Sequence, residues 1–374
     1  MIAKKVTVLG AGNGGHALAF QLSKLGYSVL IYEHPDFSGN IEGIKGNGGI
    51  EAMERIERNG KEIAARLSGF AEIDALTTNM QEALDYSDTL LMIVPSYAQE
   101  TFFKLAIPHL KDSQTLVILP GNFGSLVIKR MMDEAGVKRK VLFAETNSLP
   151  YACRMILPGR VFILAVKEAL YCASFPGAET KRFVTVLSEI LPLKFLTLNN
   201  VLGTGLANAN MIVHPATAVL NMGVAESREG GFYFYKEGMS ESISKVQQRI
   251  DDERLSVAKA LDLNLESFTE SQKTFYNLDV RSIHDFAQTT PIHSSFGYDA
   301  PKSPRDRYVS EDCPYLLLPL FEFGRLLGIE TPATESIIRI ASIYNDVDYF
   351  KEGRTLDKLG LSGITRKQIL EYVQ

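Results

Sequence analysis

Residues 6–20 read VTVLGAGNGGHALAF, and this stretch decides how the rest of the chain is read. Val6 to Leu9 predicts a short buried strand. Gly10, Gly12 and Gly15 follow with G-x-G-x-x-G spacing, with Asn13 and Gly14 inside the turn. His16 to Leu25 then reads as a helix with apolar residues at Ala17, Leu18, Phe20, Leu22 and Leu25. Strand, glycine turn and helix start together can hold a dinucleotide pyrophosphate. Gly10 permits the tight turn, Gly12 lets the backbone approach the phosphates, and Gly15 lets the helix pack on the strand. Free amides and the positive end of the helix dipole then face the anion.

The spacing is short and the chain has 29 glycines, so a turn that binds nothing is the competing reading. Its context argues for a nucleotide. A second apolar strand, Ser28 to Tyr32, ends in Glu33, 23 residues after Gly10. A carboxylate there can accept hydrogen bonds from the adenosine ribose. It also repels a 2′-phosphate, which favours NAD over NADP; the adjacent His34 argues weakly the other way.

A chain of 374 residues accommodates about two domains, each with its own core. An apolar content of 45% and a charged content of 22% are those of an ordinary globular protein. The net charge of −5 offers no basic field, so nucleic acid is not an expected partner. Cys153, Cys172 and Cys313 are far apart and form no C-x-x-C pair. That argues against a metal site or a disulfide framework and suits a reducing compartment. Met1 leads straight into strand residues, and the apolar runs Val161–Val166 and Tyr315–Phe321 are too short to cross a bilayer. The expectation is a cytoplasmic protein with no membrane partner.

Residues 1–200 alternate strand-like and helix-like segments. Strands are expected at Val6–Leu9, Val29–Tyr32, Thr89–Val94, Thr115–Leu119 and Val141–Ala144, with Val161–Val166 and Phe195–Leu198 as further candidates. Helical patterns lie between them, including Glu51–Leu67 and Leu126–Ala135. This rhythm predicts an α/β domain with a doubly wound, mostly parallel sheet. Ligands of such sheets lie at the carboxyl ends of strands, which places Pro95 and Ser96, and also Pro120, Gly121 and Asn122, beside the cofactor; plain proline turns explain them equally well. From about Asn199–Leu202 onward, residues 201–374 are dominated by helical patterns: Gly203–Glu226, Ser240–Leu261, Ser267–Tyr276, Cys313–Leu327 and Glu335–Asp346. Residues 289–312 read as a loop, and Thr365 with Gln368 as a capping box for a last helix.

Three stretches could carry chemistry. In the mostly apolar segment 208–221, Asn210, His214, Thr217 and Asn221 share one helical face, and Pro215 should kink that helix. Each buried polar group left without a partner costs roughly 1–3 kcal/mol. The stripe must therefore meet a polar cavity, another polar helix or water; a histidine bonded inside a helix contact is the bland alternative. Residues 305–312 hold five charged side chains, with Asp312 and Arg307 among them, just before Pro314. Asp312 reads equally as a helix cap and as a carboxylate that orients a histidine. Arg307 reads first as a surface charge, although its planar fork suits a substrate carboxylate. The polar stretch Ala144 to Tyr151, which includes Glu145 and Thr146, follows a strand end and reads as a connecting turn or as a substrate or nicotinamide loop.

The stretches GAGNGGHA (10–17), ETNSLPYACR (145–154), NANMIVHP (208–215), RYVSEDCP (307–314) and KEGRTLDKLGLSG (351–363) resemble, in order and over nearly the whole chain, the octopine/opine dehydrogenase family. The last run is similar to the bacterial norvaline-type branch of that family. The resemblance implies a Rossmann NAD-binding domain followed by a helical substrate domain, with the active site in the cleft between them. It implies NADH-dependent reductive condensation of an L-amino acid with a 2-oxo acid, typically pyruvate, the new centre being D-configured. It carries a catalytic pair onto His214 and Asp312, and substrate contacts onto Arg307 and Glu145. Asn210 and Thr146 join these as candidate substrate contacts, and Gly10, Gly12, Asn13, Gly14, Gly15, Glu33, Pro95 and Ser96 are the candidate cofactor contacts. The oligomeric state stays open, a homodimer being one form allowed.

Two other readings compete. Ketopantoate reductases and glycerol-3-phosphate dehydrogenases share the two-domain plan but usually carry a lysine in the central helix, and residues 203–226 contain none. A non-catalytic NAD-sensing module would need neither His214 nor Asp312.

Overall fold

The computed structural model describes residues 4–58, 61–290 and 300–374, arranged as two compact units, Met1–Val201 and Leu202–Gln374. In the first unit the strands are β1 (Lys5–Leu9), β2 (Ser28–Tyr32), β3 (Ile50–Ala52), β4 (Arg55–Arg58), β5 (Lys61–Ala64), β6 (Gly69–Ala71) and β7 (Ala75–Thr77). They continue with β8 (Thr89–Met92), β9 (Thr115–Ile118), β10 (Leu142–Thr146), β11 (Tyr151–Leu157), β12 (Arg160–Val166), β13 (Ala169–Phe175) and β14 (Lys194–Thr197). The helices are α1 (Asn13–Lys24), α2 (Gly39–Asn47), α3 (Met80–Tyr86), α4 (Ser96–Ala106), α5 (Gly124–Glu134) and α6 (Thr180–Ile190).

The main sheet runs β14-β13-β10-β9-β8-β1-β2-β7, and every neighbouring pair in it is parallel except β10 with β13. Parallel strands are covered on both faces, so they read as continuous apolar runs; Val6, Val8, Val29, Ile31, Leu91 and Val117 are all buried. After β1 the chain builds outward to β2 and β7, then crosses back to β8 on the other side of β1. That reversal is a topological switch point, and the loops after β1 and β8 flank it.

The segment Glu51–Leu67 corrects the helical expectation. It forms β3, β4 and β5, with β4 and β5 antiparallel and Ile56 opposite Ile63. Alternation in RIER and KEIA on either side of Asn59-Gly60 is a hairpin signal, and the spacing of Ile56, Ile63 and Leu67 imitates a helical face. Residues 59 and 60 lie outside the described ones. A second sheet, β11-β12-β3-β6, was not foreseen; only β12 was.

The second unit is helical among its described residues: α7 (Val201–Leu206), α8 (Asn210–Leu220), α9 (Met222–Ser227), α10 (Glu241–Ala260), α11 (Phe268–Tyr276), α12 (Ile283–Thr289), α13 (Arg307–Ser310), α14 (Leu318–Leu327), α15 (Pro332–Asn345), α16 (Tyr349–Glu352) and α17 (Arg366–Val373). A π-helical turn spans Cys313–Leu317. The expected single helix over Gly203–Glu226 is broken into three, with breaks at 207–209 and at Asn221. The expected loop 289–312 contains α13, and residues 291–299 of it lie outside the described ones. The capping box of Thr365 and Gln368 is formed on both sides. No helix among the described residues is long and apolar enough to cross a membrane.

Candidate active site

In the first unit, the glycine turn is held by three strand ends. The Gly10 amide donates to the Tyr32 carbonyl at 2.9 Å, and Gly10 has φ +108°, a conformation that favours glycine. A Cβ on Gly15 would lie 1.9 Å from the Gly10 carbonyl oxygen, so the helix can cross the strand end only without one. Gly14 is also close-packed, its Cβ position lying 2.7 Å from the Ile93 side chain. Gly12 differs: a Cβ there meets nothing within 4 Å. The turn is therefore tight behind and open at Gly12, where no side chain caps the first amides of α1 and no acidic residue sits in its first turn. Uncapped amides at the positive end of a twelve-residue helix, beside open space, fit a pyrophosphate.

Glu33 closes the other side. Its carboxylate is buried and accepts the Ala11 amide at 3.0 Å, the His34 amide at 2.8 Å and Asn40 Nδ2 at 3.0 Å. Asn40 was not singled out from sequence. Neither was the buried His16. Gly159 N–H donates to His16 Nε2 at 3.0 Å, so Nδ1 carries the proton and faces the Gly12 carbonyl at 3.1 Å. Burial pulls the His16 pKa below its ordinary value. The ring thus ties the glycine turn to the β11–β12 connection in its neutral form.

Several residues expected at ligands are engaged elsewhere. Asn13 Oδ1 accepts the Met155 amide at 2.8 Å, pinning α1 to β11. Glu145, expected to meet a substrate amine, is fully buried; its carboxylate accepts the Phe123 amide at 3.1 Å and the Ser125 amide at 2.7 Å. It neutralises the N-terminus of α5, and a Cβ on Gly121 would lie 2.0 Å from its oxygen. The buried Thr146 donates its hydroxyl to the Ser148 carbonyl at 2.8 Å. Pro95 is the N-cap of α4, and Ser96 Oγ accepts from Asn122 Nδ2 at 2.8 Å, which joins the loops that follow β8 and β9.

In the second unit, α8 carries His214 and the segment entering the π-helical turn carries Asp312. His214 Nδ1 lies 2.8 Å from Asp312 Oδ2, with side-chain exposures of 12% and 5%. A carboxylate at Nδ1 holds the proton there and leaves the Nε2 lone pair outward. Nε2 lies 3.3 Å from the Tyr235 hydroxyl. Tyr308 stacks on the imidazole at 3.9 Å between centroids and 17° between planes, and Phe234 meets its edge at 6.1 Å. The aromatic frame of Tyr308, Tyr235 and Phe234 was not legible from sequence, since it is assembled from two segments more than seventy residues apart.

The rest of the stripe divides. Thr217 and Asn221 are absorbed internally: Gln247 of α10 donates to Thr217 Oγ1 at 2.9 Å, and Asn221 Nδ2 donates to the Gly238 carbonyl at 2.9 Å. Asn210 opens α8 on the His214 face, half-buried, its amide bonded to Asn208 Oδ1 at 3.0 Å. Arg307 begins α13, 47% exposed, with Nη2 3.1 Å from Glu311. Among the described residues no group of three or more His, Cys, Asp or Glu is placed to hold a metal ion.

Comparison with known proteins assigns both units. Residues 5–136 match the model of the NAD-dependent glycerol-3-phosphate dehydrogenase N-terminus. Residues 197–345 match that of the NAD/NADP octopine/nopaline dehydrogenase α-helical domain. Over 373 residues the chain is 33% identical to an opine dehydrogenase of Arthrobacter sp. (strain 1C), covering 100% of this chain and 99% of the relative. The chain belongs to the opine dehydrogenase family. An opine dehydrogenase fold is an NAD-dependent oxidoreductase fold, and the glycine turn and Glu33 are the parts of this chain that fit that cofactor. Among solved structures, octopine dehydrogenase with NADH and L-arginine superposes with TM-score 0.73 at 21% identity, covering 98% of each chain. Yersinopine dehydrogenase with NADP+ superposes with TM-score 0.70 at 17% identity, covering 99% of this chain and 98% of that one.

Proposed function

We propose that this opine dehydrogenase joins the amine of an L-amino acid to the carbonyl carbon of pyruvate or a related 2-oxo acid, reduces the resulting imine with NADH, and runs the reverse oxidation. The observation that carries the reading is the His214–Asp312 pair at 2.8 Å, stacked under Tyr308. Residues 1–200 take the dinucleotide and residues 201–374 the substrates. NADH supplies the hydride for the imine carbon when bound.

The protein's own groups handle protons and charge. His214 Nε2 takes a proton from the substrate ammonium, which frees the lone pair that attacks the ketone. It returns that proton to the carbinolamine hydroxyl, which leaves as water as the protonated imine forms, so that hydride addition yields the neutral secondary amine. Asp312 keeps the Nδ1 proton in place and stabilises the transient imidazolium. Arg307 offers a planar fork for a substrate carboxylate, and Asn210, one turn before His214, offers an amide to the same face. Glu33 sets the preference for NAD over NADP. The three cysteines are free of disulfides, which suits an enzyme of the cytoplasm, working as a monomer or a homodimer.

The test is an NADH-oxidation screen of pyruvate against the common L-amino acids, with each substrate alone as a control, repeated with His214→Ala. Oxidation requiring both substrates and falling by about 10²–10⁴-fold in the variant is the expected result. Full activity with pyruvate alone would make the enzyme a simple 2-oxo acid reductase. Full activity in His214→Ala would remove the proton role assigned to that residue.

A further inference from the structure

The run KEGRTLDKLGLSG (351–363) lies outside the chemistry assigned above. Its place in the fold starts from the helical path through α13, the π-helical turn Cys313–Leu317 and α14. Tyr308 and Asp312, four residues apart on this path, both reach His214. The π-helical turn begins at the very next residue. π-Turns inside helices are uncommon and gather at functional sites.

Two prolines account for the turn and for what it needs. In an α-helix the Leu318 amide would bond the Pro314 carbonyl; here it reaches back five residues to Cys313. In π-helical register the donor to Pro314 would be residue 319, which is a proline and has no N–H. With Leu318 committed to Cys313 and Pro319 lacking an N–H, the Pro314 carbonyl of the turn as wound has no donor from its own helix. The backbone N–H of Arg354 supplies it, at 2.8 Å.

The approach is possible only because residue 353 is glycine. A Cβ there would lie 2.8 Å from the Pro314 oxygen, 2.7 Å from the Tyr349 oxygen and 2.5 Å from Leu318 Cδ2. Its φ of −72° is open to any residue, so the requirement is space. The Arg354 side chain is fully buried, and its guanidinium lies 4.9 Å over the ring of Tyr315, inside the same turn. Backbone and side chain of one residue thus fasten both edges of the π-helical turn.

We propose that Gly353 and Arg354 are positioning residues: they lock the π-helical turn so that Asp312 meets His214 Nδ1. The proposal rests on the reading of His214 and Asp312 as the proton-handling pair. If the lock loosens, the turn can relax toward α-helical register and carry Asp312 away from the imidazole.

The test is a double-mutant cycle between Gly353→Ala and Asp312→Asn, with NADH affinity and melting temperature measured alongside kcat. Gly353→Ala is expected to lower kcat by about 10- to 100-fold, the scale of an ångström-sized misplacement, with NADH affinity unchanged. In the Asp312→Asn background the same change is expected to cost less than about threefold, because coupled residues are not additive. The parent enzyme is expected to show a low-field proton resonance from His214 Nδ1–H, which should weaken or vanish in Gly353→Ala. Should that variant not fold, Arg354→Lys and Arg354→Met decide: Lys, which keeps a cation over Tyr315, should retain more kcat than Met. Equal losses in both backgrounds, or an unchanged kcat in Gly353→Ala, overturn the inference while leaving the pair itself intact. An unchanged kcat in Asp312→Asn overturns the reading of the pair, and this inference with it.

Discussion

His16 and Glu33 each hold the glycine turn through a proton-sensitive or charged group, and each gives a measurable consequence. Burial holds the His16 pKa below its ordinary 6.5, and the Gly159 amide needs Nε2 unprotonated. As pH falls through the unfolded value, the unfolded chain binds a proton that the folded chain still refuses, so stability falls with it. The melting temperature should therefore drop between pH 7.5 and pH 5.5, and His16→Gln, which keeps a donor and an acceptor, should show a shallower slope across that interval. Calorimetry at the two pH values checks it; equal slopes would mean that other groups govern the acid limb. Glu33 accepts from Ala11, His34 and Asn40 at once. Removing the carboxylate strands the Ala11 amide inside the turn as well as removing the repulsion toward a 2′-phosphate. Glu33→Ala is accordingly expected to weaken NADH by about tenfold, a loss of roughly 1.4 kcal/mol, while narrowing the NADH-to-NADPH ratio. Titration with both dinucleotides checks it, and a gain for NADPH without a loss for NADH would confine Glu33 to charge repulsion.

At the scale of elements, the turn between β1 and α1 makes two glycines three residues apart behave differently. A methyl group at Gly15 collides with the Gly10 carbonyl at 1.9 Å, whereas one at Gly12 enters open space. Gly15→Ala should lower the melting temperature of the dinucleotide-free enzyme. Gly12→Ala should leave it within about 2 °C, since a substitution that touches nothing is close to neutral, yet weaken NADH by at least about tenfold because the methyl occupies the space the phosphates need. The same elements show which parts of the fold a sequence states. The buried parallel strands announce themselves because both their faces are apolar. The strands β3 to β5 do not, because Ile56, Ile63 and Leu67 fall at a spacing that a helix also satisfies. His214 and Asp312 were legible as a pair through the helical stripe and the family motifs. Glu145 and Asn13 were not, since a polar side chain carries no mark of whether its partner is a ligand or a backbone amide in another segment. The π-helical turn after Asp312 is of the same kind: Pro314 and Pro319 state that donors are missing, but only the fold reveals that Arg354 supplies one.

At the scale of the whole molecule, the groups that fit the dinucleotide lie in Met1–Val201 and the groups that fit proton transfer lie in Leu202–Gln374. Under that division of labour, binding and chemistry should come apart by mutation. His214→Ala and Asp312→Asn should bind NADH with the affinity of the parent enzyme, because both residues belong to the unit assigned proton transfer and not to the one assigned the dinucleotide, yet lose about 10²–10⁴-fold in kcat. Gly12→Ala should do the reverse, raising the NADH dissociation constant while kcat at saturating NADH stays within about threefold, because an interaction that binds ground and transition states alike moves affinity and not turnover. Quenching or enhancement of NADH fluorescence gives the first quantity and steady-state oxidation with pyruvate and an amino acid the second. Combining Gly12→Ala with His214→Ala sharpens the result: independent roles predict losses that multiply in kcat/KM. A double variant no worse than His214→Ala alone would mean that the turn and the histidine act on one step, and the assignment of separate tasks to the two units would have to be abandoned.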